Sequence, residues 1–138
     1  MKFLVTGGAG FIGSNFLRMF VPKYPEHIFI NLDKLTYAAN PYNLKDLSNA
    51  KNYFFERADI ADFESLKQVF DRYNPDVVVH FAAESHVDRS IVGPAKFIKT
   101  NIVGTFNLLE ACRMYWKDTR GKLFHHVSTD EVYGSLGE

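Results

Sequence analysis

The chain has 138 residues, of which 46% are hydrophobic and 15% aromatic, enough for one domain with a buried core. Its 16 Lys and Arg balance 16 Asp and Glu, so no net field draws the surface to nucleic acid or to an anionic membrane. Cys112 is the single cysteine, which excludes an internal disulfide and a cysteine-built zinc site and fits a reducing compartment. No stretch approaches the roughly 18 apolar residues that cross a bilayer, and Met1 leads straight into an apolar strand pattern, so the cytoplasm is the expected location.

Short apolar runs alternate with helix-periodic segments, the signature of βαβ units and a parallel sheet. Strands are expected at 2–6 (KFLVT), 27–32 (HIFINL), 53–57 (YFFER), 76–81 (DVVVHF) and 123–128 (LFHHVS). The expected fold is α/β, a Rossmann-type doubly wound sheet in the order 3-2-1-4-5, incomplete at its C-terminal end.

Directly after the first strand, VTGGAGFIGSNF opens a helix expected over 13–20. Gly8, Gly10 and Gly13 keep a G-x-G-x-x-G spacing, and Gly7, Gly10 and Gly13 a G-x-x-G-x-x-G spacing. Such a turn needs a residue without a Cβ, a backbone that can approach a pyrophosphate, and a helix start with free N–H groups. Gly7, Gly10, Phe11, Ile12 and Gly13 are therefore the expected cofactor contacts. Asp33 ends the second strand 20 residues past Gly13. A carboxylate there can accept from ribose hydroxyls and repel a 2′-phosphate, which favours NAD over NADP, although Lys34 beside it tempers that charge.

Asn40 and Pro41 punctuate the next segment, leaving a loop with at most a short helix near 42–49. Asp59 and Ile60, after the third strand, are candidates for the edge and face of the adenine, with a solvated turn as the alternative for Asp59. Over 62–73, Phe63, Leu66, Val69, Phe70 and Tyr73 share one helical face, with Asp62 as N-cap and Pro75 ending the run.

The fourth strand is followed by HFAAESHVDRS. Ala82 and Ala83 lie where ligands bind in doubly wound sheets, and their small size lets a ribose approach the backbone. Ser85, His86 and Asp88 sit too near one another in sequence to assemble a nucleophilic triad. The five histidines show no metal spacing, and His125 and His126 should point to opposite faces of their strand, so no metal is expected. The longest helix is expected over 94–116, opened by Pro94. Ile98, Ile102, Phe106 and Leu109 form one apolar stripe, and Phe97, Gly104 and Leu108 a second. One stripe faces the sheet; the other faces further parts of the domain or a second subunit, unless the two form one broad buried face.

Together TGGAGFIGSNF, LDKLTYAANPYNL, FAAESHVDRSI, TNIVGTFNLLEA and HVSTDEVYG resemble the amino-terminal part of the extended short-chain dehydrogenase/reductase family. Within it they are similar to the branch that dehydrates dTDP-glucose. The likeness covers essentially the whole chain, and its most specific part is the last motif. Related epimerases carry Ser or Thr there without an acidic pair, and GDP-mannose dehydratases and UDP-glucuronate decarboxylases have Ser-Glu where this chain has Asp130-Glu131.

This resemblance implies a lyase of nucleotide-sugar metabolism, on the route to rhamnose. NAD accepts a hydride from C4 of the glucose, water is eliminated across C5 and C6, and the hydride returns to C6. On the same likeness Asp130 is the acid that protonates the leaving hydroxyl, Glu131 is the base at C5, and Thr129 hydrogen-bonds near the 4-hydroxyl. Glu84 and Ser85 join Thr129 in holding the substrate, and the 94–116 helix pairs with its copy in a homodimer. Because consecutive strand residues face opposite ways, Asp130 and Glu131 can meet one sugar only if the strand ends near Ser128 and residues 129–132 turn at the sheet edge.

The family's Tyr-x-x-x-Lys pair is missing: none of the seven tyrosines has a lysine four residues on. Tyr53 with Arg57 comes nearest, and Tyr133 is followed at that offset by Gly137. In the family the pair lies beyond strand five. The expectation is thus an amino-terminal fragment holding the cofactor half and part of the catalytic set, with an open edge at strand five and no turnover alone. Two other readings stay open. The missing pair favours a non-catalytic NAD-binding module, while the acidic pair disfavours a UDP-sugar epimerase or decarboxylase.

Overall fold

In the computed structural model, which describes residues 1–134 and for Asp130 and Glu131 the backbone alone, five strands pair in parallel. They are β1 (Lys2–Thr6), β2 (Ile28–Leu32), β3 (Tyr53–Glu56), β4 (Val77–His80) and β5 (Leu123–His126), in the order β3-β2-β1-β4-β5. The register sets Thr6 beside Leu32 and His80, Leu32 beside Glu56, and His80 beside His126. All five carboxyl ends therefore finish at one level, and the chain order reverses between β1 and β4. That is where a doubly wound sheet opens a crevice.

Alternation along the central strands builds two cores. Leu4, Ile30, Leu32 and Val78 pack on one face against Leu66, Val69 and Phe70 of α2 (Phe63–Tyr73) and Leu108, Ala111 and Cys112 of α5 (Thr105–Tyr115). Val5, Phe29, Val77 and Val79 pack on the other against Leu17 and Val21 of α1 (Phe11–Lys23) and Leu44 and Leu47 of a 3-10 segment (Pro41–Leu47). Strands buried on both faces read as continuous apolar runs, as VVV in β4 does. Asp62 caps α2 by accepting from the Ser65 N–H, and Asn74 ends it in the left-handed conformation, φ 44°.

The expected long helix is present but composite. After a short α3 (Val87–Val92), which the sequence pattern did not suggest, α4 (Pro94–Phe97) runs through a π-helical segment (Ile98–Gly104) into α5. The stripe turned to the sheet contains Gly104 and Leu108, and it extends to Thr100, Ala111 and Cys112, all buried. The other stripe is exposed: Ile98, Ile102, Phe106 and Leu109 are all about half open to solvent or more. Gly104 allows the close approach, because a Cβ there would lie 2.6 Å from Ile60 Cδ1. No helix among the described residues is long and apolar enough to cross a membrane.

Candidate dinucleotide site

The turn after β1 is shaped by what lies beneath and beside it. Gly7 takes φ +70°, and its N–H donates to the Leu32 carbonyl at 2.9 Å. A Cβ on Gly7 would lie 2.7 Å from the Ala82 nitrogen, so the segment after β4 can run against bare backbone. A Cβ on Gly13 would strike the Gly7 carbonyl, which is how α1 packs hard against the turn. Gly10, extended, lines the crevice and is the N-cap of α1, and no side chain caps the first-turn N–H groups. Phe11 and Ile12 hold their side chains out in solvent, 81% and 61% exposed. What they can offer a ligand is their backbone N–H. The residues fit a pyrophosphate: bare glycine backbone at Gly7 and Gly10 lines the crevice and leads into an uncapped 13-residue helix.

Asp33 is buried and ties the turn to β2. Its Oδ2 accepts from the Ala9 N–H at 2.9 Å and its Oδ1 from the Leu35 N–H at 2.8 Å. Each oxygen keeps a second lone pair for a ribose hydroxyl. Lys34 does not stand free beside it: its Nζ donates to Thr100 Oγ1 at 3.1 Å and lies 3.6 Å from Asp59 Oδ2. Asp59 also accepts from the Ala61 N–H at 2.9 Å, so it is at once a turn carboxylate and a wall of the crevice. Ile60 is buried beneath it.

The crevice is lined by Gly7, Gly10, Asp33, Lys34, Asp59, Ile60, Ala82, Ala83, Glu84 and Thr100. Of the expected cofactor residues, Phe11, Ile12 and Gly13 are not in this lining; they form the first turn of α1 that follows Gly10. The Glu84 backbone is held at both its groups: its N–H donates to Asn101 Oδ1 at 2.8 Å, and Asn101 Nδ2 donates to its carbonyl at 2.9 Å. Ser85 is exposed on the same segment. At the rim the Arg89 guanidinium sits 3.6 Å above the Tyr37 ring, and the Tyr37 hydroxyl donates to Glu84 at 3.3 Å.

Below the crevice His80 bridges two threonines. Its Nδ1 lies 2.6 Å from Thr6 Oγ1 and its Nε2 2.9 Å from Thr105 Oγ1. Burial, and next the neighbouring His126, lower its pKa to about 4, so the ring is neutral. His126 stacks on it at 5.0 Å, while His125 lines the opposite face with Phe3 and Phe29. Thr6, His80, Thr100 and Asn101 were not singled out from sequence. The π-helical segment carries Thr100 inward and holds the exposed Asn101 against the Glu84 backbone, and a π-bulge has no apolar periodicity that announces it.

β5 ends at His126, two residues before the expected boundary, and the chain passes through exposed Thr129 into a 3-10 turn, Asp130–Tyr133. The turn leaves the sheet at its carboxyl edge, as expected for residues 129–132. The acid and base assigned to the side chains of Asp130 and Glu131 lie outside the described residues. Among the described residues no group of three His, Cys, Asp or Glu gathers as a metal site.

A parallel sheet in this order, with glycines at the reversal point and an acid at the end of β2, defines a Rossmann-type doubly wound fold, the class whose crevice takes dinucleotides. The chain belongs to the GDP-mannose 4,6 dehydratase family, whose model matches residues 4–138. It is 55% identical to the dTDP-glucose 4,6-dehydratase of Salmonella typhimurium over 99% of its own length and 39% of that relative. It thus spans about two fifths of the length of such relatives. The crystal structure of dTDP-glucose 4,6-dehydratase from Bacillus anthracis in complex with NAD superposes with a TM-score of 0.84 at 41% identity, covering 100% of this chain and 40% of that one. UDP-glucose 4-epimerase from Thermotoga maritima, solved with UDP-glucose, gives 0.83 at 34% identity over 100% and 41%.

Proposed function

We propose that this chain is the NAD-binding part of a dTDP-glucose 4,6-dehydratase acting in the cytoplasm. The observation that carries the reading is the convergence of the Gly7–Gly10 cradle, the start of α1 and Asp33 on one crevice at the β1/β4 reversal. The similarity to dehydratases at 55% identity supports the choice of reaction over that of the epimerases.

When bound, NAD supplies a hydride acceptor that later returns the hydride, so the reaction has no net redox change. This chain's own groups do the rest. Backbone N–H groups at the start of α1 bind the pyrophosphate. The free lone pairs of Asp33 take the adenosine ribose hydroxyls, and Asp59 and Ile60 take the adenine. Ala82 and Ala83 let the second ribose lie against the segment after β4. Glu84, Ser85 and Thr129 hold the sugar, with Thr129 near its 4-hydroxyl. Asp130 donates a proton to the leaving 6-hydroxyl, and Glu131 takes the C5 proton that oxidation at C4 has made acidic. A neighbouring carboxylate raises the proton affinity an acid needs near neutral pH.

No tyrosine–lysine pair is among these residues to accept the 4-hydroxyl proton, so the 138 residues alone turn over no substrate. The exposed stripe Ile98, Ile102, Phe106 and Leu109 is the homodimer face. The test has two arms. Calorimetric titration with NAD should show binding to this chain. A protein of its relatives' length carrying this sequence should convert dTDP-glucose to a 4-keto-6-deoxy product and lose that activity on Glu131→Gln. An unchanged rate after that substitution sinks the acid–base assignment, and the absence of NAD binding sinks the cofactor reading.

A further inference from the structure

Among the described residues, the buried side-chain oxygen without a hydrogen-bond partner is Asn31 Oδ1. Asn31 is fully buried in β2, paired with Val5 on one side and Phe55 on the other. Its Nδ2 donates to the Tyr53 hydroxyl at 3.0 Å, and its carbonyl end is turned to the glycine loop. A Cβ built on Gly8 would run into the Asn31 amide and would lie 2.7 Å from Leu17 Cδ1. Asn31 therefore fills the space directly beneath Gly8.

This is a costly choice of residue. Leaving a buried carbonyl unpartnered forfeits its solvation with no return, and a β-branched or leucine side chain suits such a strand position better. What an apolar residue cannot reproduce is the thinness of a planar amide. A branched side chain is thick in every direction and would push Gly8 outward. Gly8 lies between the loop's two anchors, the Gly7 N–H on Leu32 and the Ala9 N–H on Asp33, so lifting it strains both.

We propose that Asn31 is a positioning residue of the cofactor loop: its flat amide sets the depth at which Gly8 sits, and the fold retains an unpartnered carbonyl to keep that depth. This rests on the reading of the loop as an NAD site. The experiment is NAD titration by calorimetry, with thermal melts, on the chain, on Tyr53→Phe, and on Asn31→Leu combined with Tyr53→Phe. Removing both partners of the buried hydrogen bond offsets its loss and relieves the unpartnered carbonyl, while the lifted Gly8 costs part of that back, so the double variant should melt within a few degrees of the unsubstituted chain. It should nevertheless bind NAD roughly tenfold more weakly or worse, whereas Tyr53→Phe alone keeps full affinity. A second measurement pairs Gly8→Ala with Asn31→Ala: the loss of NAD affinity from Gly8→Ala should shrink once the floor is emptied. Unchanged NAD affinity in the double variant, an affinity loss accompanied by a melting drop of more than a few degrees, or strict additivity of the alanine pair each overturns the proposal while the cofactor reading stands. No NAD binding by the unsubstituted chain overturns both.

Discussion

The Thr6 hydroxyl and His80 Nδ1 lie 2.6 Å apart, joining the last residues of β1 and β4 directly under the crevice. Because the His80 pKa is lowered to about 4, the unfolded chain binds a proton at pH values where the folded chain does not. Stability is therefore fully present above about 6.5, the unperturbed histidine value, and is lost as pH falls toward 4. The amount at stake is on the order of 3 kcal/mol. Chemical denaturation of the chain between pH 7 and 4 should show this decline, and His80→Gln should flatten it.

Gly7→Ala should fail twice. The substitution puts a Cβ into a left-handed backbone, costing ~1–2 kcal/mol, and drives it into the Ala82 backbone, where nothing can swing aside. A drop of several degrees in melting temperature together with loss of NAD binding in the same sample is the expected outcome.

Asp33→Asn keeps size and removes charge. Whichever way the amide sits, its NH2 meets a backbone N–H, either that of Ala9 or that of Leu35, so one bond becomes a donor facing a donor. Roughly 1–3 kcal/mol of stability should go, with NAD affinity falling by about tenfold or more. Melting curves and calorimetric titration check the two losses separately.

The open stripe on the long helix predicts association. Sedimentation velocity of the chain should show concentration-dependent dimers, and Ile102→Glu with Phe106→Glu should give monomers that melt where the unsubstituted chain does at concentrations too low for dimers, since both side chains are more than half exposed.

The sequence was most legible where a local rule and a tertiary need coincide. β1 fills its expected range and the other four strands lie within theirs, each trimmed by one or two residues, and α2 begins at the Asp62 cap. Gly7, Gly10, Asp33, Asp59, Ile60, Ala82, Ala83 and Glu84 converge on one crevice because parallel strands align their carboxyl ends. The α1 helix starts two residues earlier than its expected Gly13, because Gly10 serves as N-cap without any capping side chain to mark it. Asn31, His80, Thr100 and Asn101 escaped notice for a different reason. Each is a polar residue in or near an apolar run, and its meaning comes from a partner far off in sequence: Tyr53, Thr6, Lys34 and Glu84. Gly8 shows the same limit. It satisfies a motif spacing, yet what forbids a side chain there is Asn31 beneath it.

The central position of β1 also dictates an order of events. The strand made first pairs with β2 next in the chain, but its other neighbour is β4, so Phe3 meets Val77 only after most of the intervening chain exists. Loops of that length close late and slowly. A chain emerging from the ribosome can set the Gly7 N–H on Leu32 early, but the backbone that closes over Gly7 at Ala82 is synthesised only much later. The crevice needs Ala82 and Thr100 as well as Asp33, so its completion marks the moment at which a ligand can begin to pull the equilibrium toward the native sheet.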